Sequence, residues 1–409
     1  MLLAKVSVRL ADAPHQQHKA CVRLGRGLRQ RKHMATATAD VDTRKTVTPR
    51  SQPAFTNMPA HRLVSLDAYR GFIMLLLVSN GFGLAALAAY PKMAWLAAQV
   101  DHAEWTGCTF WDLIQPAFTF MVGMAMPFSL GRRRSEGAPF GSLLRHVLWR
   151  AFVLILLSNI LSNFDSEGTP RLQLINVLCQ IAFGYLICFA VMQLRFRWQV
   201  AATSGLLIAY WVLFAIFPGP SGAFSQTGNI GQVIDEAVLG YNYSGYYTTI
   251  NFIGNAVTII FGMWAGTLVR RNGSHSYRIR ILALCAVAGL AIGLALEPLN
   301  PMIKRLWTAS FTFYSAGWVI AMLLVFYWLI EVKGYVRWTF PFIVFGTNSI
   351  FIYSFAQVLR DWLHHGIGVF TGGFEFLGPA GAIPQNLLTL AAMWYMCFWL
   401  YRRRIFFKI

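Results

Sequence analysis

The chain is 409 residues long, 56% hydrophobic and 15% aromatic, and only 12% charged, where a soluble domain carries roughly a quarter. That balance excludes an ordinary soluble enzyme and describes a polytopic membrane protein. The formal charge of +19 does not point to nucleic acid, because Lys and Arg sit in the N-terminal tail and in short clusters between apolar segments, where they set topology.

Met1 to His61 are polar and basic (Arg23, Arg26, Arg29, Arg31, Lys32), with no sustained apolar periodicity, and are expected to be disordered. They lack the long apolar run of a cleaved signal peptide. An over-called start explains the tail simply, since Met34 or Met58 would each open a sensible shorter chain. The folded transmembrane domain is expected to run from Arg62 to the C-terminus, residues 62–409.

A spanning helix needs about 20 apolar residues. Segments of that kind run from Phe72 to Tyr90, Thr109 to Leu130, Val147 to Phe164, Leu172 to Leu194 and Trp198 to Phe217. Ile250 to Val269, Ile281 to Leu296, Phe311 to Ile330, Phe340 to Val358 and Leu387 to Tyr401 complete an all-α set of about ten transmembrane helices. If every segment spans, Arg62 and Arg70, Arg132 to Arg134, Arg195 and Arg197, Arg270 and Arg271, Lys333 and Arg337, and Arg402 to Arg404 all fall on one side. The positive-inside rule makes that side cytoplasmic, with both termini there. The loops Pro91 to Cys108, Pro218 to Thr249 and Arg360 to Gln385 then face outward. The latter two are long enough to wall or cover an outward site, or to be plain connectors.

The first outward loop carries the chemistry. Asp101-His102-Ala103-Glu104-Trp105-Thr106-Gly107 puts a histidine, two carboxylates and an indole between two hydrophobic segments, and Asp112 follows just inside the second. Imidazole is the side chain best suited to take and return a proton near neutrality. A carboxylate inside a spanning helix is costly unless it finds a partner or a wet cavity. On composition alone His102 reads equally well as a polar loop residue and Asp112 as a packing hydrogen bonder.

Further polar residues lie within the apolar segments: Asn80, the pairs Asn176 with Gln180 and Asn251 with Asn255, and Asn348 with Ser349. Spacing of i to i+4 puts each pair on one helix face, suited to lining a cavity or to gluing helices together. Lys304, Arg305 and Trp307 stand at the outward end of the seventh-to-eighth connection, against the charge bias of that side. The six cysteines, Cys21, Cys108, Cys179, Cys188, Cys285 and Cys397, lie mostly in apolar runs without metal-ligand spacing, so neither a metal nor a disulfide framework is expected.

These residues carry a resemblance. Arg62-Leu63-Val64-Ser65-Leu66-Asp67-Ala68-Tyr69-Arg70-Gly71, Asn80-Gly81, and His102-Ala103-Glu104-Trp105-Thr106-Gly107 with Asp112-Leu113 and Pro116 resemble the heparan-alpha-glucosaminide N-acetyltransferase family. Asn176 to Gln180, Ile259 to Gly262 with Gly266, Lys304 to Thr308, Val332-Lys333-Gly334 and Gly346 to Ile350 follow in the family's order. The resemblance implies a transmembrane acetyltransferase that takes acetyl from cytoplasmic acetyl-CoA and delivers it to an amino sugar or glycan across the membrane. It implies membrane lipids as surroundings, no nucleic acid, a homodimer, and a place in a bacterial inner membrane. The family's catalytic histidine maps onto His102 and the asparagine of the preceding helix onto Asn80; on chemical grounds either Asp101 or Asp112 can fix the imidazole tautomer, with Asp112 favoured as the more enclosed. Trp105, Asp67, Lys304, Trp307 and Asn348 are the substrate-binding candidates. Glu104 and Thr106 depart from the family pattern. The family's lysosomal members add a lumenal domain and a leading helix; none is read here, as expected for a bacterial-type member.

Within this reading His102 either deprotonates the acceptor amine or accepts the acetyl group first, and Asn80 donates to the developing oxyanion. Arg132, Arg133, Arg134 and Arg150 match phosphate by charge alone, as topology signals also would. A sugar-linked transporter or flippase, and an O-acetyltransferase of an envelope polysaccharide, are the competing readings.

Overall fold

The computed structural model describes residues 63–164, 169–271 and 273–407, and the basic tail of residues 1–61 lies outside them. The described residues are helical without strands, as an apolar chain that must satisfy its own backbone inside a bilayer requires. The α-helices are α1 (Val64–Val78), α2 (Ala94–Gln99), α3 (Ile114–Ser135), α4 (Phe140–Ser162), α5 (Val177–Met192), α6 (Phe196–Ile216), α7 (Ile230–Leu239), α8 (Phe252–Arg270), α9 (His275–Leu296), α10 (Ala309–Tyr327), α11 (Phe340–Thr347), α12 (Ser349–Thr371) and α13 (Ala382–Arg402).

Six stretches are long and apolar enough to cross a bilayer: Trp111–Ser135, Phe140–Ser162, Phe196–Ile216, Thr249–Arg270, His275–Leu296 and Ala309–Val332. Two bent pairs, one breaking at Ser79 by 48° and one at Asn348 by 69°, raise the number to as many as eight among the described residues. Each of the ten expected segments contains helix, but only six of them stand as spans on their own; the first, fourth, ninth and tenth do not, the last two sharing one bent pair. The fourth is shortened to the 16 residues of α5. There Gln173 N–H donates to Asn159 Oδ1 at 2.8 Å and Leu174 N–H to the Tyr243 hydroxyl at 3.2 Å, so side chains satisfy the non-helical backbone. The ninth breaks at Asn348, whose Nδ2 donates to the Ile405 carbonyl at 3.1 Å while its Oδ1 accepts from Phe407 N–H at 3.0 Å.

The first expected segment breaks at a turn of four left-handed residues, Asn80 (φ 50°), Gly81 (φ 64°), Phe82 (φ 55°) and Gly83 (φ 75°). Glycine and asparagine enter this region cheaply, whereas Phe82 costs on the order of 1–2 kcal/mol. The long loops expected on the outward side also contain helix. Asn229 caps α7 by accepting Gly231 and Gln232 N–H at 3.0 and 3.3 Å. α12 continues through Arg360 to Thr371 and ends where Gly372 turns left-handed at φ 58°.

Small residues decide how closely the helices pass. On α8, a Cβ at Gly262 would lie 2.0 Å from the Phe120 carbonyl oxygen, and one at Gly266 2.3 Å from that of Met124. α3 and α8 therefore run parallel with backbones in contact, the packing that glycine permits between membrane helices. Arg132 to Arg134 end α3, and Arg270, which ends α8, donates from Nη1 to the Pro127 carbonyl at 2.5 Å. Both helices thus carry their arginines at the end away from Asp112.

Candidate active site

Asp112 sits at the start of the α3 span with its side chain 1% exposed. A buried carboxylate needs its lone pairs filled, and here both oxygens are occupied. Oδ1 faces His102 Nδ1 at 2.7 Å and Lys304 Nζ at 3.2 Å. Oδ2 accepts from Ala103 N–H at 3.2 Å and Thr109 N–H at 3.1 Å. The Thr109 hydroxyl stands 3.1 Å from Oδ2 but only 2.6 Å from the Asp101 carbonyl, to which its single hydrogen goes.

This arrangement assigns the imidazole tautomer. A carboxylate only accepts, so the nitrogen facing it at 2.7 Å carries the hydrogen. Nδ1 is then the N–H and Nε2 the acceptor nitrogen; Lys304 Nζ lies 3.0 Å from Nδ1, a donor–donor contact offset by its pairing with Asp112, and 3.5 Å from Nε2, to which it can donate until a substrate takes its place. The His102 side chain is 42% exposed, whereas Lys304 is 8% exposed. An imidazole that reaches solvent thus stands on a dry ion pair.

The loop bearing Lys304 is strapped from three sides. Tyr210 of α6 donates its hydroxyl to the Leu306 carbonyl at 2.7 Å, and Asn251 Nδ2, at the start of the Thr249–Arg270 span, donates to the Arg305 carbonyl at 3.1 Å. Gly107 N–H donates to the Met302 carbonyl at 2.8 Å, tying the His102 loop directly to the Lys304 loop. Arg305 also donates to the Glu104 carbonyl.

His102 opens into a cleft of about 480 Å³ lined by Asn80, Gly83, Val100, Asp101, Trp111, Ala382 and Asn386 among others. The left-handed turn brings Asn80 to this wall, where its side chain has no hydrogen bond among the described residues. A larger apolar crevice of about 1070 Å³ lies between α6, α8, α9 and α10 with Arg270 and Arg271 at its rim. No imidazole or carboxylate among the described residues lines it, whereas His102 and Asp101 line the smaller cleft.

His102, Asp112, Lys304 and Asn80 are thus brought together, and the other sequence candidates are placed elsewhere. Trp105 donates from Nε1 to the Phe224 carbonyl at 2.9 Å and meets Tyr246 edge-on, pinning the Pro218 to Thr249 connection over the His102 loop. Trp307 is fully buried, with φ 51°, and donates to Thr258 Oγ1 at 3.1 Å, so it shapes the Lys304 turn from behind. Asp67 pairs with Arg70 at 2.8 Å near the start of α1, about 16 Å of helix from Val78. Asn348 holds the C-terminal residues, about 18 Å of helix before Arg360. Lys304 meets Asp112 rather than standing free for a substrate.

Cys108, whose Sγ donates to the Thr109 carbonyl at 3.5 Å, lies within the field of both Asp112 and Lys304. Burial, followed by the Asp112 charge, pushes its thiol up to about 12, so it stays protonated and unsuited to carry an acyl group. Sequence reasoning passed over Asn386 and Arg360, whose Nη2 donates to Asn386 Oδ1 at 2.5 Å. The signal was present: Arg360 is a basic residue in an expected outward connection, the same anomaly that singled out Lys304.

No family model matches the chain. It is similar to the heparan-alpha-glucosaminide N-acetyltransferase of Mus musculus, 23% identical over 427 residues, which cover 88% of this chain and 62% of that protein. It is 25% identical to the enzyme of that name from Homo sapiens over 434 residues, with the same coverage. The chain is a distant relative of this family. It spans about three fifths of the length of these relatives. The aligned 88% of the chain is long enough to take in most of the helical body described above.

Proposed function

We propose that the protein is a transmembrane acetyltransferase that moves an acetyl group from acetyl-CoA to an amino-sugar acceptor, with His102 as the general base. The observation that carries this reading is the His102–Asp112–Lys304 group opening on a cleft shared with Asn80. The distant N-acetyltransferase relatives support the same reaction class.

The amine nitrogen attacks the thioester carbonyl carbon, and a C–N bond forms. His102 Nε2 takes the amine proton while Asp112, on Nδ1–H, holds the ring and balances the imidazolium. The Asn80 amide donates to the carbonyl oxygen as charge builds there. Collapse breaks the C–S bond, and the leaving thiolate takes its proton from His102. Lys304 compensates the buried Asp112 charge before and after the proton moves. Acetyl-CoA enters from the cytoplasmic side in this scheme, with its phosphates toward the arginine-bearing helix ends, and the acceptor meets His102 at the outward face.

The test uses detergent-solubilised protein with radiolabelled acetyl-CoA, with and without glucosamine, for wild type and His102→Ala. Labelled glucosamine from wild type alone is the expected result. Label trapped on wild-type protein without acceptor would replace direct transfer by an acetyl-histidine step. Absence of acetyl-CoA binding and turnover with every amino sugar tried would overturn the assignment in favour of a transporter.

A further inference from the structure

Asn386, at the start of α13, lines the same cleft as His102 and Asn80, and its amide orientation is determined by its neighbours. A guanidinium can only donate, so the atom 2.5 Å from Arg360 Nη2 is the amide oxygen. The amide nitrogen donates one hydrogen to the Ala382 carbonyl at 2.8 Å. Its second N–H has no partner among the described residues. That nitrogen also abuts the Asn80 turn, since a Cβ on Gly83 would fall 2.8 Å from it. Two amides, one from each side of this backbone contact, therefore enter one wall of the cleft.

Arg360 is well placed to hold this geometry. Its side chain is 13% exposed, Nη1 donates to Asp361 Oδ1 at 3.0 Å, and its buried Nε has no partner. A cation on the oxygen of an amide draws electron density from nitrogen and makes the remaining N–H a stronger donor. Such a donor gains most from an acceptor that becomes negative during reaction, and less from a neutral ground-state carbonyl.

We infer that Asn386 is a second hydrogen-bond donor to the oxyanion formed during acetyl transfer, acting beside Asn80, and that Arg360 is the positioning residue that orients and polarises it. The inference rests on the acetyltransferase reading above. In that reaction the carbonyl π pair moves onto oxygen as the C–N bond forms and returns as the C–S bond breaks, so the donor is needed only between those events.

The decisive variant is Asn386→Asp, which keeps shape and an acceptor for Arg360 but removes the N–H. The measurement is steady-state acetyl transfer to glucosamine by the full chain in detergent, with kcat and KM separated. The expected result is a fall in kcat of about 10²–10³-fold with KM for acetyl-CoA little changed. Arg360→Met should lower kcat in the same way, and Arg360→Lys should restore part of it; a merely structural arginine would not give that split. Should the carboxylate variant fail to fold, the Arg360 pair carries the same test. Wild-type kcat in Asn386→Asp or Arg360→Met, or a loss confined to KM, overturns this inference alone. A wild-type protein with no acetyl transfer overturns the parent reading and this inference with it.

Discussion

Lys304 Nζ lies 3.2 Å from Asp112 Oδ1, joining the loop before α10 to the start of the α3 span through an ion pair that solvent barely reaches. Because desolvation is costly, such a pair contributes less by its presence than would be lost by removing one member. Lys304→Met should therefore destabilise the protein by about 3–5 kcal/mol and abolish transfer. Adding Asp112→Asn should restore much of the stability without activity. Thermal unfolding in detergent checks this, and a single variant as stable as wild type would contradict the buried pairing.

Asp112→Asn alone tests the tautomer. An amide can present its N–H to Nδ1 and so place the imidazole hydrogen on Nε2, the wrong nitrogen for a base. Turnover should fall by about 10⁴-fold, as orienting carboxylates do in comparable sites, with acetyl-CoA affinity retained. Single-turnover rates with independently measured donor binding separate the two effects.

The Asn80 turn depends on Gly83. A Cβ there would lie 2.4 Å from the Ala382 carbonyl oxygen, and the residue sits at φ 75°. Gly83→Ala should push the Asn80 turn off α13 and lower both stability and kcat. Gly137 shares the left-handed backbone at φ 83° but has open space around it, so Gly137→Ala should cost only about 1 kcal/mol and spare activity. Equal effects from the two would show that strain, rather than the contact with α13, matters.

Asp235, on α7, has its carboxyl pKa raised, first by burial and against the opposing Thr249 backbone hydrogen bond, which is 2.9 Å long. The folded state then binds its proton more tightly than the unfolded state, so this group's contribution to stability falls as pH rises from about 4 through its raised folded pKa. Asp235→Asn keeps an oxygen for Thr249 N–H and should raise the unfolding midpoint at neutral pH. The gain should vanish below about pH 4, where both states hold a neutral carboxyl. A pH-independent difference would assign the effect to packing.

Orientation is open to a direct test. Alkaline phosphatase fused after Glu104 should be active, and one fused after Arg134 inactive, if the His102 end faces outward. The reverse pattern would place the cleft on the cytoplasmic side.

The apolar segments, the clustering of arginines between them and the acid/base promise of His102 and Asp112 were legible in the chain itself. A bilayer imposes length and polarity on contiguous residues, and that constraint is local. Lys304 was visible for a related reason, as a cation where topology does not favour one. What only tertiary structure decided is which distant groups share a charge or a hydrogen. The pairing of Lys304 with Asp112, the locking of Asn386 by Arg360 and the pressing of the Asn80 turn against α13 join residues far apart in sequence. Asp67 and Asn348 show the converse. Both stand in motifs as prominent as His102, yet the bends at Ser79 and Asn348 and the lengths of the helices leave them with partners of their own, Arg70 and the C-terminal backbone. A motif records which side chain is present, whereas helix crossings and breaks determine what it can reach.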